Sequence, residues 1–174
     1  MRILLSLLLC LLISFQIKAD KVDDVVKFAK SKLGCGYVWS GYGQKLTDAL
    51  LNQLHNKYPD HIDKSICKQW IGKQIYDCSG LVQKAFETVG ISLIHNADSA
   101  WRNTNWATKG TISNYPKDKV VILYRQSKDK SKMEHTGIYI RGGMFIHAKG
   151  SKYGVVMETM PSTWTHWGIP KGLY

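Results

Sequence analysis

Apolar residues at Val22, Val25, Val26, Ala29 and Leu33 recur at helical spacing before Gly34 and Gly36, which predicts an amphipathic helix over residues 21–33. The short, aromatic, glycine-flanked segment Gly36-Tyr37-Val38-Trp39-Ser40-Gly41 reads as a loop or brief strand. Leu50, Leu51 and Leu54 mark a second helix over 47–58, ended by Pro59. Residues 60–75 are mixed, with Trp70 and Ile71 as expected buried anchors. A third helix is predicted to start at or just before Cys78 and to carry Leu81, Val82, Ala85, Phe86 and Val89 as far as Gly90. Residues 91–118, with Trp101, Trp106 and Tyr115, show no clear period and read as a long surface loop holding one short helix.

The period then changes. Residues 119–125 are β-branched and aromatic and predict a strand, followed by a charged loop over 126–134. Residues 136–141 and 144–148 predict a hairpin around Gly142-Gly143, and 154–158 a further strand. Helices first and antiparallel strands afterwards argue an α+β fold. The 174 residues suit one domain, and the chain carries no repeat, low-complexity tract or linker.

At the N-terminus, Met1-Arg2, the apolar run Ile3 to Phe15 and the small residue Ala19 predict a signal peptide, residues 1–19, ahead of a single domain over 20–174. The run falls short of the roughly 20 apolar residues of a membrane span. Cys10 follows Leu9 rather than a small residue, so no lipid-attachment signal is read. Loss of Arg2 and Lys18 with that peptide lowers the formal net charge from +11 to +9. A surface so basic suits nucleic acid, anionic lipid or an acidic wall polymer, and composition does not choose among them. Cys35, Cys67 and Cys78 remain. Either Cys35 and Cys67 pair and leave Cys78 free, or all three are buried thiols.

The chemistry centres on Tyr76-Asp77-Cys78-Ser79-Gly80-Leu81-Val82, a polar cysteine segment running into an amphipathic helix. The partial positive charge of a helix N-terminus favours thiolate over thiol, and its free N–H groups suit an oxyanion. A thiol nucleophile needs a base and an orienting group. His135 and His147 lie in the two hairpin arms, and their relation depends on the turn. A two-residue Gly142-Gly143 turn would set 138 opposite 147 and turn His135 away. A three-residue loop 141–143 with Gly143 left-handed sets 137 opposite 147, so that 135 and 147 share a face as diagonal neighbours roughly 7–8 Å apart. The second arrangement is expected. Zinc held by Cys78, His135 and His147 is the competing reading, though no paired Cys or His at close ligand spacing supports it.

Asp77-Cys78-Ser79-Gly80-Leu81-Val82, His135-Thr136-Gly137-Ile138-Tyr139-Ile140 and Phe145-Ile146-His147-Ala148 resemble, in that order, the signature blocks of the NlpC/P60 cysteine peptidases. Gly36-Tyr37-Val38-Trp39 resembles the family's tyrosine block, and the resemblance spans roughly residues 22–160. It implies a papain-like α+β fold with the cysteine at a helix N-terminus against an antiparallel sheet. It implies a secreted hydrolase of peptidoglycan stem peptides acting on the γ-D-glutamyl–diamino acid bond. Cys78 would then be nucleophile, His135 base and His147 orienting residue, with Tyr37, Asp77 and Ser79 binding substrate. No metal or other cofactor, no nucleic acid and no stable membrane insertion after signal cleavage enter this expectation. Residues 44–74 form an insertion relative to the family; it holds Cys67, so a Cys35–Cys67 disulfide would pin it beside the cleft. Ser40 stands where the family often has glycine. An amidase or acyltransferase on a related fold, and a non-catalytic basic wall-binding protein, are the alternative functions.

Overall fold

The computed structural model describes residues 21–174, so the expected signal peptide and Cys10 lie outside the described residues. Residues 21–31 form α1, which buries Val22, Val25 and Ala29. Strand β1 (Gly36–Tyr37), β2 (Tyr42–Lys45) and β3 (Gln74–Tyr76) make a small sheet in the order β1-β3-β2, with β1 and β3 parallel. Helices α2 (Asp48–Lys57) and α3 (Lys64–Cys67), then a 3-10 turn at Lys68–Trp70, fill the segment between β2 and β3. After β3 come α4 (Cys78–Glu87) and α5 (Ala97–Asn103). A six-stranded antiparallel sheet follows, built from β4 (Trp106–Thr111), β5 (Val121–Gln126), β6 (Met133–Tyr139), β7 (Met144–Gly150), β8 (Gly154–Thr159) and β9 (His166–Pro170). Its order is β4-β9-β5-β6-β7-β8. The α+β expectation holds.

Two cores support the site. The larger joins α1, α4 and the six-stranded sheet through residues such as Val25, Leu81, Phe86, Leu123, Ile138 and Ile146. The smaller gathers Val38, Leu46, Leu51, Leu54, Ile62, Cys67, Trp70 and Ile75, so the 44–74 insertion largely packs on itself. Thr47 caps α2 by accepting from Leu50 N at 3.1 Å, and the helix stays within the predicted 47–58. Trp70 is buried, and its Nε1 donates to Ser151 O at 2.6 Å, tying the insertion to the β7–β8 turn. Ile71, the other expected anchor, is 37% exposed. It follows the 3-10 turn in extended conformation, and Trp70 already occupies the space against Gly36 and Gly154.

Residues 91–118 hold α5 and also β4, which pairs with β9, and neither strand was predicted. Both are short and interrupted by Gly110, Gly168 and Pro170, and β4 lies at the sheet edge with most residues exposed. Strand β6 begins at Met133 rather than Thr136, so His135 lies inside the strand. The expected disulfide is not formed, and Cys35, Cys67 and Cys78 are all free. Cys67 is fully buried in the smaller core, whereas Cys35 packs against the larger one.

Candidate functional site

The cleft is organised by Asp77, the N-cap of α4. Its Oδ1 accepts from Gly80 N at 2.7 Å and Ser79 Oγ at 2.9 Å, and its Oδ2 from Ser40 N at 2.9 Å. His95 Nε2 lies 2.9 Å from both oxygens. The carboxylate is nearly buried and its acceptor positions are occupied, so Asp77 acts first as the clamp that joins α4, the 38–41 turn and the loop before α5. Ser40 adopts φ +66°, a left-handed backbone that glycine enters without strain. A Cβ at Gly80 would collide with the Gly41 carbonyl, so only glycine lets the helix start come this close to the turn.

Cys78 opens the first turn of α4 with 7% of its surface exposed. Backbone N–H groups of Thr136, Ser79 and Cys78 itself point to the thiol and draw its pKa down. Burial outweighs them, and the neighbouring Asp77 charge adds to it, so the thiol is pushed up to about 12. The preference for thiolate expected from the helix terminus is therefore overturned. Because Thr136 follows His135, that contact sets the sulfur against the strand carrying the imidazole.

The hairpin has the expected register. Ile138 opposes Ile146, Ile140 N donates to Met144 O at 2.9 Å, and residues 141–143 form the loop with Gly143 at φ +74°. His135 and His147 consequently share a face and bond directly, His135 Nε2 to His147 Nδ1, at 2.8 Å. Trp164 stacks on His135 with ring centroids 5.5 Å apart and planes 18° apart, covering one face of the imidazole. Burial pulls the His135 pKa down to about 3, and the neighbouring His147 adds to the fall. Burial lowers His147 as well, opposed by Glu158.

Glu158 was not singled out from the sequence. Residue 156 on β8 opposes His147, so Glu158 lies diagonal to it on the same face, with Oε2 at 3.0 Å from His147 Nε2. Its other oxygen accepts from Lys149 Nζ at 2.7 Å. Period-two alternation over 154–158 was the available signal, but it needed the β7–β8 register to become a contact.

The thiol and the imidazoles open to two neighbouring grooves. Cys78, Asp77 and Ser79 line one of about 580 Å³. Trp39 and Ser40 join them, as do Tyr58 and His61 from the insertion, with His61 stacked on Trp39 at 4.1 Å. His135 and His147 line a second of about 440 Å³, with Arg125, Lys149, Glu158 and Trp164. No hydrogen bond joins Cys78 to His135 among the described residues; the chain boundary between the grooves is the step from Glu134 to His135. Tyr37, on β1 beside Tyr76, is not among the lining residues of the first groove. Burial raises its hydroxyl pKa, and the nearby Cys78 and Asp77 charges add to that. Among the described residues no three of His, Cys, Asp and Glu are placed to hold a metal ion.

A family model described as NlpC/P60 family matches residues 34–169. A Mycobacterium tuberculosis protein named as a probable endopeptidase is 33% identical over 86 residues, covering 49% of this chain and 20% of the relative. The probable endopeptidase p60 of Listeria grayi is 29% identical over 103 residues, 59% of this chain and 19% of its own length. The chain thus spans about a fifth of the curated relatives it matches. Among solved structures, the P60 domain of a Mycobacterium avium subspecies paratuberculosis antigen superposes with TM-score 0.60 at 15% identity, over 88% of this chain and 96% of that one. The peptidoglycan hydrolase RipB of M. tuberculosis gives 0.58 at 20% identity, over 87% and 64%. At these identities the structural likeness concerns the fold.

Proposed function

The chain belongs to the NlpC/P60 family, and from that premise we propose that it is a cysteine peptidase cleaving peptidoglycan stem peptides at the γ-D-glutamyl–diamino acid bond. The observation that carries the reading is a buried, hydrogen-bonded His135–His147 pair whose His135 lies on the strand that the Cys78 sulfur abuts, with Cys78 at a capped helix start. The relatives named as probable endopeptidases and the peptidoglycan hydrolase among the structural neighbours support the substrate class.

With the thiol pKa high and the imidazole pKa low, the resting pair is neutral. Proton transfer from Cys78 to His135 then accompanies attack on the amide carbonyl, and the thiol–imidazole contact closes when substrate fills the groove. The N–H groups of Cys78 and Ser79, in the first turn of α4, have no intrahelical acceptor and receive the oxyanion. His135 gives its proton to the leaving amine, and water releases the acyl group from sulfur. His61 and Tyr58 let the insertion narrow that groove. The chain is read as exported, its leader cut after Ala19.

Purified sacculi digested with the wild type and with Cys78→Ala, with soluble fragments read by mass spectrometry, test the proposal. Wild type should release fragments ending in γ-D-glutamate, and Cys78→Ala none. Equal release by both, or a cut elsewhere in the wall, refutes it.

A further inference from the structure

The ring-nitrogen contacts of the two histidines continue outward to a carboxylate that the proposed triad does not include. A carboxylate only accepts hydrogen bonds, so the 3.0 Å contact of Glu158 Oε2 requires the proton of His147 on Nε2. In the neutral ring Nδ1 then carries the lone pair. The 2.8 Å contact between that Nδ1 and His135 Nε2 in turn requires the His135 proton on Nε2. What remains on His135 is a single basic atom, Nδ1. Without an acceptor beyond His147 the chain of protons can run the other way: His147 Nδ1–H donates to His135 Nε2, and His135 Nδ1 is left protonated and useless as a base.

We propose that Glu158 is a positioning residue that sets the tautomers of His147 and His135 and so leaves His135 Nδ1 free to take the Cys78 proton. This rests on the reading of Cys78 and His135 as nucleophile and base. Lys149 Nζ, 2.7 Å from Oε1, keeps Glu158 ionised and directs its other oxygen to His147. The charged side chains of the sheet beside the pair are taken up by one another. Arg125 of β5 is bound to Glu134 at 2.9 Å, Lys149 of β7 and Glu158 of β8 hold each other, and Phe145 and Trp164 supply uncharged faces. Glu158 is therefore the one carboxylate bonded to either imidazole among the described residues.

Nitrogen-15 NMR of histidine-labelled protein reads both tautomers without substrate. The wild type should show protonated Nε2 and unprotonated Nδ1 on His135 and His147. Glu158→Gln, whose amide can donate as well as accept, should mix or reverse them, while Glu158→Asp should keep them in part. Stem-peptide cleavage by Glu158→Gln should lose about tenfold or more in kcat with KM unchanged, as for loss of a group that orients a catalytic imidazole. Iodoacetamide alkylation of Cys78, followed by peptide mass, should slow in the same order and needs no peptidase activity. The inference is overturned if the wild type carries the opposite tautomers, or if Glu158→Gln leaves tautomers and Cys78 alkylation unchanged. The expected wild-type tautomers and slowed alkylation in Glu158→Gln, with no stem-peptide cleavage by the wild type, would uphold it and count against the assigned substrate instead.

Discussion

Asp77 is asked to do two opposed things, and replacing it separates them. Asp77→Ala removes the N-cap of α4, a loss of about 1 kcal/mol. It also leaves the part-buried Ser40 N–H without its 2.9 Å acceptor, which adds about 1–3 kcal/mol. The expected total is about 2–4 kcal/mol, or a fall in Tm on the order of 10 °C for a chain of this size. Asp77→Asn keeps an oxygen for the Gly80 N–H but turns an amide group toward Ser40 N–H or Ser79, so its loss should be smaller. The thiol responds the other way. The Asp77 charge is the second cause of the raised Cys78 pKa, so both variants should lower that pKa and speed alkylation of Cys78 at a fixed mildly alkaline pH. Thermal unfolding followed by circular dichroism and peptide-mapped iodoacetamide labelling measure the two effects. Variants as stable as wild type, or a Cys78 no more reactive in the folded Asp77→Asn protein, would refute this account of the helix start.

Acid should destabilise the fold through His135. Its folded pKa, about 3, lies below the unfolded 6.5, so as pH falls below 6.5 the unfolded chain binds a proton that the folded one refuses. Stability should drop by up to about 1.4 kcal/mol per pH unit in that window. His135→Gln should flatten the decline in urea midpoints between pH 7 and 4.5, with His147, shifted the same way, accounting for part of what remains. Trp70→Ala should cost about 3–5 kcal/mol by emptying the contact between the insertion, Gly36 and Gly154; a loss under 1 kcal/mol in chemical denaturation would show the insertion to be loosely attached. His61→Ala, which removes the stacking partner of Trp39 from the groove wall, should raise KM for stem peptides severalfold with kcat little changed; an unchanged KM would remove the insertion from substrate binding.

The parts of the site written in local pattern were legible in the sequence. The start of α4 at Cys78 follows from a polar capping residue before an amphipathic run, and the pairing of 135 with 147 follows from where Gly143 permits a left-handed turn. What escaped was set by distant partners. His95 shows no pattern around it because its meaning comes from Asp77, and Glu158 gains its meaning from a strand register. Trp164 reads as one more tryptophan until the fold lays it on His135. Strand β4 stayed hidden because an edge strand needs little apolar alternation and tolerates glycine, and β9, buried between β4 and β5, because it is only five residues long and carries Gly168 in its middle. The state of Cys78 was misjudged for a related reason: the helix terminus is local, whereas the burial that outweighs it is assembled from the whole fold.

The central claim is that the Cys78 sulfur attacks while His135 takes its proton, although the two open to separate grooves. Intact-protein mass spectrometry after rapid mixing with a stem peptide tests it most directly. A transient adduct of the acyl fragment should appear on Cys78 in the wild type and form far more slowly in His135→Ala. Turnover without any adduct on that sulfur, or an adduct that forms as fast without the imidazole, would contradict the account.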